Sequence, residues 1–542
     1  MSGPVAFSPH RIERSTIMTA SSLPSAPGGP NRRAFLGRCA GCALAAGCVS
    51  AASIGSVRAQ APAPGPAPGA RKPRIKLVFS HVPAGTPTWP YSTYDYETRK
   101  AALTSKLVAA CPEIEFDVVT IHNGAAAKAL AEQSKDVDGA LVYMIGIWTG
   151  AGAAMAATGK PTLFVDDLYG GSGEFLTAFA AARRAGQNVA GVSSTSFDDV
   201  VAAARCLNDV ADPAAAASFG ARCMKVARSR YAKPGDVALA PGDEPPAVDV
   251  KAAVARLREA TMLVVGGAMH NDADPITRAL GTRLVPIDFA TLDSYYKVAD
   301  ADAAKAFAAK WTKNAAKVVE PSSEEIDMSA RMAVGMKALM AEHKADAIAI
   351  NCLGGFYGKH MTAYPCIGFC QLNDDGQVGA CEADTRSAIT MLAMSYLTGR
   401  PGYISDPVID TSKNQIIYAH CVAPTKVYGP GGPSNAYELR SHSEDRHGVS
   451  IRSLPPVGRM TTTLEIDAAR KQVLVHQAKA VANIDEDKAC RTKIAAEVKG
   501  DMAKLLASWD QWGWHRVTVY GDLIEPVAAL ADAIGFEMVR ES

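Results

Sequence analysis

The residues best placed to do chemistry are Glu382, Asp406 and His420, which fall within the stretch Ala380 to Ala423. Two carboxylates and a neutral imidazole gathered from successive elements suit a hard or borderline divalent cation such as Mn²⁺ or Mg²⁺, with coordination positions left for a ligand. An oxygen-rich, sulfur-free set is unlike a structural zinc site. The chain has 55 acidic residues, so a Glu/Asp pair at this separation also arises between positions that never meet.

The elements that must position these groups can be read around them. Glu382 precedes an apolar series, Ile389, Leu392, Met394, Tyr396 and Leu397, that predicts a buried helix stopped by Gly399 and Pro401. Asp406 follows Gly402 to Ser405 and is expected in the next loop. His420 lies inside Gln415 to Ala423, a nearly continuous apolar run with β-branched and aromatic members that predicts a covered strand. Near the C-terminus His515, Val517 and Val519 alternate onto one strand face, ahead of a predicted helix over Leu523 to Ile534 and a strand over Phe536 to Val539. By pattern alone that histidine is a core residue as readily as a ligand. Trp509, Trp512 and Trp514 read first as packing residues, with stacking on a ligand as the alternative. The polar segment Leu439 to His447 is either a solvated loop or a source of ligand contacts through Arg440 and His442.

The string around Glu382, its separation from Asp406 and the His420-Cys421-x-x-Pro424 segment resemble the L-fucose isomerase and L-arabinose isomerase superfamily, and its fucose isomerase-like branch in particular. The resemblance covers the C-terminal part of the chain well and the first half by architecture only. It implies Mn²⁺, or another divalent cation such as Mg²⁺ or Co²⁺, held by Glu382, Asp406 and His515. It implies that Glu382 and Asp406 also carry protons during aldose–ketose isomerisation of a monosaccharide, that His420 lines the sugar site, and that the protein associates as a homo-oligomer, a trimer or hexamer. The sequence departs from the pattern in the ISDP turn followed by VIDTSKNQ and in the GPGGPSN and RSHSEDRHG segments, which are expected to shape a different pocket.

The N-terminus has a separate role. Arg32 and Arg33 precede Phe35 and Leu36, a weakly apolar run follows, and Val57-Arg58-Ala59 offers a small-residue cleavage site. This pattern looks like a twin-arginine export signal over residues 1–59, so the translocase is an expected partner and the periplasm or exterior the expected location; with a non-functional leader the protein stays cytoplasmic. Residues 60–73 are a Pro/Ala-rich spacer with no apolar periodicity. No integral membrane segment is expected after cleavage, and a net charge of +1 gives no case for nucleic acid. Of twelve cysteines three lie in the leader, and the odd remainder excludes a fully paired disulfide framework. Cys352, Cys366, Cys370 and Cys381 match neither zinc-ribbon nor iron–sulfur spacing, and buried thiols or one bridge are expected.

From Arg74 strand-like and helical runs alternate, with strands at Ile75 to Ser80, Phe116 to Ile121, Gly139 to Ile145 and Pro161 to Asp166. A second set begins at Ala260 to Gly267 and continues through Arg283 to Phe289 and Ala347 to Asn351, beyond a Pro-rich boundary at Ala240 to Ala247. The expected fold class is therefore α/β, with two doubly wound parallel-sheet lobes over residues 74–247 and 248–398, followed by a β-rich C-terminal domain over 399–542. The Gly-rich pieces lack nucleotide-binding spacing. Two rival functions share these features: an exported, non-catalytic sugar-binding protein, and an isomerase-like enzyme that epimerises or dehydrates a sugar or sugar acid.

Overall fold

The structure is a computed structural model that describes residues 71–235 and 237–542. The expected export signal, its cleavage site and most of the spacer lie outside the described residues.

Five parallel strands form the first sheet: β1 (Arg74–Ser80), β2 (Glu115–Ile121), β3 (Gly139–Met144), β4 (Thr162–Asp166) and β5 (Val189–Ser193), in the order β2-β1-β3-β4-β5. β3, β4 and β5 are buried along their whole length, as expected of strands covered by helices on both faces. Strand order reverses between β1 and β3, and the crevice outside the C-terminal ends of such strands is where an open α/β sheet receives a ligand. The segments leaving these two strands supply Trp89, Ile147 and Trp148 to the cavity described below.

The second sheet contains β6 (Thr261–Val265) and β7 (Arg283–Ile287). After these, β8 (Lys317–Val318) departs to a small separate sheet, and β9 (Ala347–Ile350) and β10 (Val378–Ala380) complete the order β10-β9-β6-β7. Its strands are also parallel. The C-terminal ends of β9 and β10 lead directly to Leu353, Cys381 and Glu382.

The remaining strands are β11 (Tyr403–Asp410), β12 (Gln415–His420), β13 (Tyr437–Arg440), β14 (Ser450–Ser453), β15 (Met460–Asp467), β16 (Gln472–Asn483), β17 (Thr492–Lys499), β18 (Arg516–Tyr520) and β19 (Glu537–Arg540). Six of them run β15-β18-β11-β12-β17-β16, and β16 pairs back onto β15, so the antiparallel sheet closes on itself and leaves few open edges. β19 adds to β16 in parallel, while β13, β14 and β8 make the small sheet. The fold class expected from the sequence is present: two parallel-sheet α/β lobes and a β-rich C-terminal region. No helix among the described residues is long and apolar enough to cross a membrane.

Two sequence expectations need correction. Asp406 lies inside strand β11, opposite Ala419 of β12, rather than in a loop. The local signal was Ser-Asp-Pro, which usually marks a turn. β18 pairs only with Tyr403 to Ser405, so Pro407 sits where β11 has one ladder partner, and its missing N–H breaks nothing. The run expected to remain extended to Ala423 ends as a strand at His420.

Candidate active site

The helix Thr385–Thr398 begins at Asp384, whose carboxylate accepts from Ser387 N–H and caps the first turn, and ends at Gly399, which takes the left-handed φ of 68° that a C-terminal cap favours. Immediately before it, Cys381–Ala383 forms one tight turn in which Glu382 (φ 59°) and Ala383 (φ 49°) are both left-handed. For residues other than glycine that conformation costs about 1–3 kcal/mol each and persists where surrounding structure enforces it. The turn aims Glu382 away from the helix and towards the rim of the closed sheet.

At that rim the antiparallel register does the rest. Ser405 of β11 is opposite Arg516 of β18, so the next pair in step is Asp406 and His515, and β12 ends at the same level with His420. Nε2 of His515 stands 3.0 Å from Asp406 Oδ1 and 3.7 Å from Glu382 Oε2, and Nε2 of His420 is 3.9 Å from Glu382 Oε1. Two overlapping groups have ligand atoms close enough to share an ion: Asp406, His420 and His515, and Cys381, Glu382 and His420.

The hydrogen bonds made by the far side of each imidazole separate the two histidines. Nδ1 of His515 lies 2.9 Å from Asp384 Oδ2, so the proton belongs on Nδ1 and the Nε2 lone pair points into the site. Nδ1 of His420 instead accepts the backbone N–H of Cys421 at 3.0 Å, which places the neutral ring's proton on Nε2. Both Nε2 atoms are buried without a hydrogen-bond partner among the described residues. The arrangement gives His515 the form of a ligand and His420 the form of a donor.

The electrostatics follow from burial. Burial, reinforced by Asp406, pushes the Glu382 carboxyl well above the usual range, and burial pushes His420 down. His515 is held well above its ordinary value: burial opposes its charge, but Glu382, the hydrogen bond to Asp384 and the nearby Asp406 carboxylate outweigh it. Asp384 is buried too, yet its bonds to His270 and His515 hold it well below the usual range. A divalent cation here would offset the charge that Glu382 and Asp406 resist carrying side by side, and would take the place of the proton that these acids otherwise hold on His515.

A cavity opens on this cluster, lined by Glu382, Asp406, His420, His442 and Glu444, by the thiols of Cys381, Cys421 and Cys490, and by Trp89, Trp148 and Trp514. The structure therefore brings together Glu382, Asp406, His515, His420 and His442. It does not bring Arg440 to the cavity wall. That guanidinium is held by Glu320, with Nε 2.7 Å from Oε2, and also meets Asp487, so it ties strand β13 to its neighbours. The His442 segment is largely buried rather than solvated, and Asp445, 3.2 Å from Nδ1 of His442, raises the basicity of that imidazole although burial opposes its charge. All nine cysteines among the described residues are buried thiols.

Four positions in or behind the candidate site were missed or undervalued in the sequence. Trp514, one of three tryptophans read first as packing, donates Nε1–H to Asp406 Oδ1 at 2.6 Å and reaches the cavity. Asp384, which caps the following helix and also meets His515, was not singled out in the sequence. Glu444, whose Oε2 accepts from Tyr357 Oη at 2.7 Å, was hidden in a charged run, and Cys490, which donates to Asp406 Oδ2 at 3.5 Å, has no local signal.

The chain is similar to enzymes that isomerise a sugar. Over 200 residues it is 26% identical to the sulfoquinovose isomerase of Clostridium sp. (strain MSTE9), covering 35% of this chain and 43% of that protein. It is 25% identical over 222 residues to the sulfoquinovose isomerase of Priestia aryabhattai, covering 40% of this chain and 48% of the relative. A shorter match to the enzyme of that name from Alkalicoccus urumqiensis is 30% identical over 96 residues. The chain spans less than half the length of these relatives. No protein-family model matches it.

Proposed function

We propose that this protein is a divalent-metal-dependent isomerase that interconverts an aldose and a ketose through an enediol. The observation that carries the reading is the convergence of Glu382, Asp406 and the Nε2 lone pair of His515 on one cavity, in a chain similar to proteins named as sugar isomerases. The donor set fits the ion: two carboxylates, and a buried imidazole nitrogen with no hydrogen-bond partner and a carboxylate behind it. Glu382, Asp406 and His515 would hold Mn²⁺ or a similar cation. Such an ion, when bound, stabilises negative charge on the carbonyl and neighbouring hydroxyl oxygens of the sugar.

The protein's own groups account for the rest of the reaction. Either Glu382 or Asp406 takes the proton from the hydroxyl-bearing carbon next to the carbonyl and returns it to the former carbonyl carbon, while the hydroxyl proton passes from one oxygen to the other. Trp514 fixes Asp406 Oδ1, so that carboxylate is oriented before the sugar arrives. His420 offers Nε2–H to a sugar oxygen on which charge develops, and its depressed basicity keeps it neutral and a good donor. Glu444 and His442 line the cavity as partners for hydroxyl groups. Trp89, Trp148 and Trp514 supply apolar faces that exclude water.

The substrate is a monosaccharide, with sulfoquinovose, named for the relatives, the first candidate to try. The reading includes export by the twin-arginine route to the periplasm and assembly into a homo-oligomer. The test is to incubate purified protein with Mn²⁺ and a panel of aldoses including sulfoquinovose, in deuterated water, and to follow the products by NMR. Ketose formation with solvent deuterium at the carbon next to the carbonyl supports the proposal. Product epimerised or dehydrated without any ketose, or no turnover of any sugar that binds, contradicts it.

A further inference from the structure

Two thiols beside the acid-bearing turn have a geometry that the isomerase reading does not use. Sγ of Cys352 lies 3.2 Å from Sγ of Cys381, with both side chains buried. The pair is set by the second sheet: β9 and β10 are parallel neighbours with Ala349 opposite Ala380, Cys381 follows β10 directly, and Cys352 begins the short helix Cys352–Tyr357 after β9. Covalently bonded sulfurs lie about 2.05 Å apart, so closure needs a movement of only about 1.2 Å. Cys381 is on the cavity wall and Cys352 stands behind it. Cys381 is also the first residue of the turn whose left-handed backbone orients Glu382.

We propose that Cys352 and Cys381 form a redox-active dithiol, oxidised by a peroxide entering through the cavity, and that the resulting disulfide displaces Glu382 from its working position. The consequence for Glu382 rests on the metal-site reading above, whereas formation of the bond does not. The cavity, at about 80 Å³, admits a water-sized oxidant to Cys381. In the first step the Cys381 sulfur attacks one peroxide oxygen, the O–O bond breaks, and the thiol proton passes to the other oxygen, which leaves as water and gives a sulfenic acid. In the second, the Cys352 sulfur attacks Cys381 Sγ, the S–O bond breaks, and a second water departs. Two thiols lose two electrons and two protons in total, and one hydrogen peroxide is reduced to two waters. Because the turn is already held in an enforced conformation, drawing Cys381 towards Cys352 is transmitted to the next residue, Glu382.

The experiment treats reduced full-length protein with hydrogen peroxide and maps its peptides without reduction by mass spectrometry, alongside Cys352→Ser and Cys352→Ala. The expected result is a Cys352–Cys381 linked peptide in the parent protein that disappears on treatment with a thiol reductant. In both variants Cys381 stops at the sulfenic acid, which a dione reagent traps. Absence of that linked peptide, or cross-linking confined to other pairs such as Cys421 and Cys490, overturns the proposal. Mn²⁺ titration of the same samples reads the consequence: affinity falls by about tenfold or more on oxidation of the parent and stays level in the variants. A linked protein with unchanged Mn²⁺ affinity overturns the displacement of Glu382. Reduced protein that binds no Mn²⁺ removes the metal reading instead, and the linked peptide alone then decides whether the pair exists.

Discussion

Asp384 Oδ2 lies 2.9 Å from Nδ1 of His515, and this contact decides which nitrogen of the ring faces Glu382 and Asp406. The same carboxylate caps the helix Thr385–Thr398, so the backbone that starts the helix also orients the imidazole. Asp384→Asn keeps the capping oxygen but loses the charged acceptor, and the ring is then free to choose the other tautomer. We expect Mn²⁺ affinity to fall by about 10–100-fold, the range typical of partners behind a metal-binding histidine, with little change in thermal stability. Calorimetric titration checks this. An unchanged affinity would mean that His515 is oriented by something other than Asp384.

His420 is expected to behave differently, because its Nδ1 is occupied by the Cys421 N–H. His420→Gln should retain Mn²⁺ affinity while kcat/KM falls by about 100-fold or more, the loss expected for a residue that assists proton or charge movement in the transition state. Loss of the ion in this variant would show that His420 is a ligand.

Trp514→Phe removes the Nε1–H that Asp406 Oδ1 accepts while keeping most of the apolar surface. A hydrogen bond to a charged group contributes about 1.5–3 kcal/mol, so kcat/KM should fall by about 10–100-fold with the fold intact. Steady-state kinetics and a melting curve test this together. A loss seen only in the melting curve would assign Trp514 to packing.

Acid sensitivity should come partly from a buried network next to the site. Glu541 meets Arg516 Nη2 at 2.8 Å and His476 Nδ1 at 2.9 Å. Although burial opposes its charge, Arg516 and His476 lower it from 4.5 to about 2. A carboxyl with a depressed folded value favours the folded state above its unfolded value, and that contribution disappears as pH falls from about 4.5 through about 2. The shift corresponds to about 3 kcal/mol. Denaturant unfolding at pH 7 and pH 3 should show this loss in the parent. Glu541→Gln should be less stable at pH 7 and show a shallower acid slope; parallel slopes would contradict the assignment.

The first lobe was legible because its strands are continuous apolar runs separated by helical ones, and β1 to β4 lie where those runs predict. β5, VAGVS, was not read, since a five-residue strand with a central glycine has little pattern of its own. It is held by its neighbour β4 and by Ser193, which bonds to Asp166 and to the Ile409 carbonyl. Closure of the C-terminal sheet was equally hidden, because the pairing of β15 with both β16 and β18 is a tertiary fact with no local signature. In the site, Glu382 could be followed through the helix that succeeds it, and His515 through its alternation with valines. Arg440 and His442 were indistinguishable as neighbours in a charged segment, and only the fold sends one to Glu320 and the other to the cavity. Trp514 had an adequate local explanation as a packing aromatic that concealed its contact with Asp406, and Asp384 carried no signal that set it apart from the other acids.

The proposed activity requires Glu382, Asp406 and His515 to hold one divalent cation together. Its most direct test is elemental mass spectrometry of the purified protein after incubation with Mn²⁺ and removal of the excess, set against Glu382→Gln and Asp406→Asn. One ion per chain is expected in the parent and its loss in both variants, with circular dichroism unchanged. No retained ion in the parent, or equal retention in all three proteins, would contradict it.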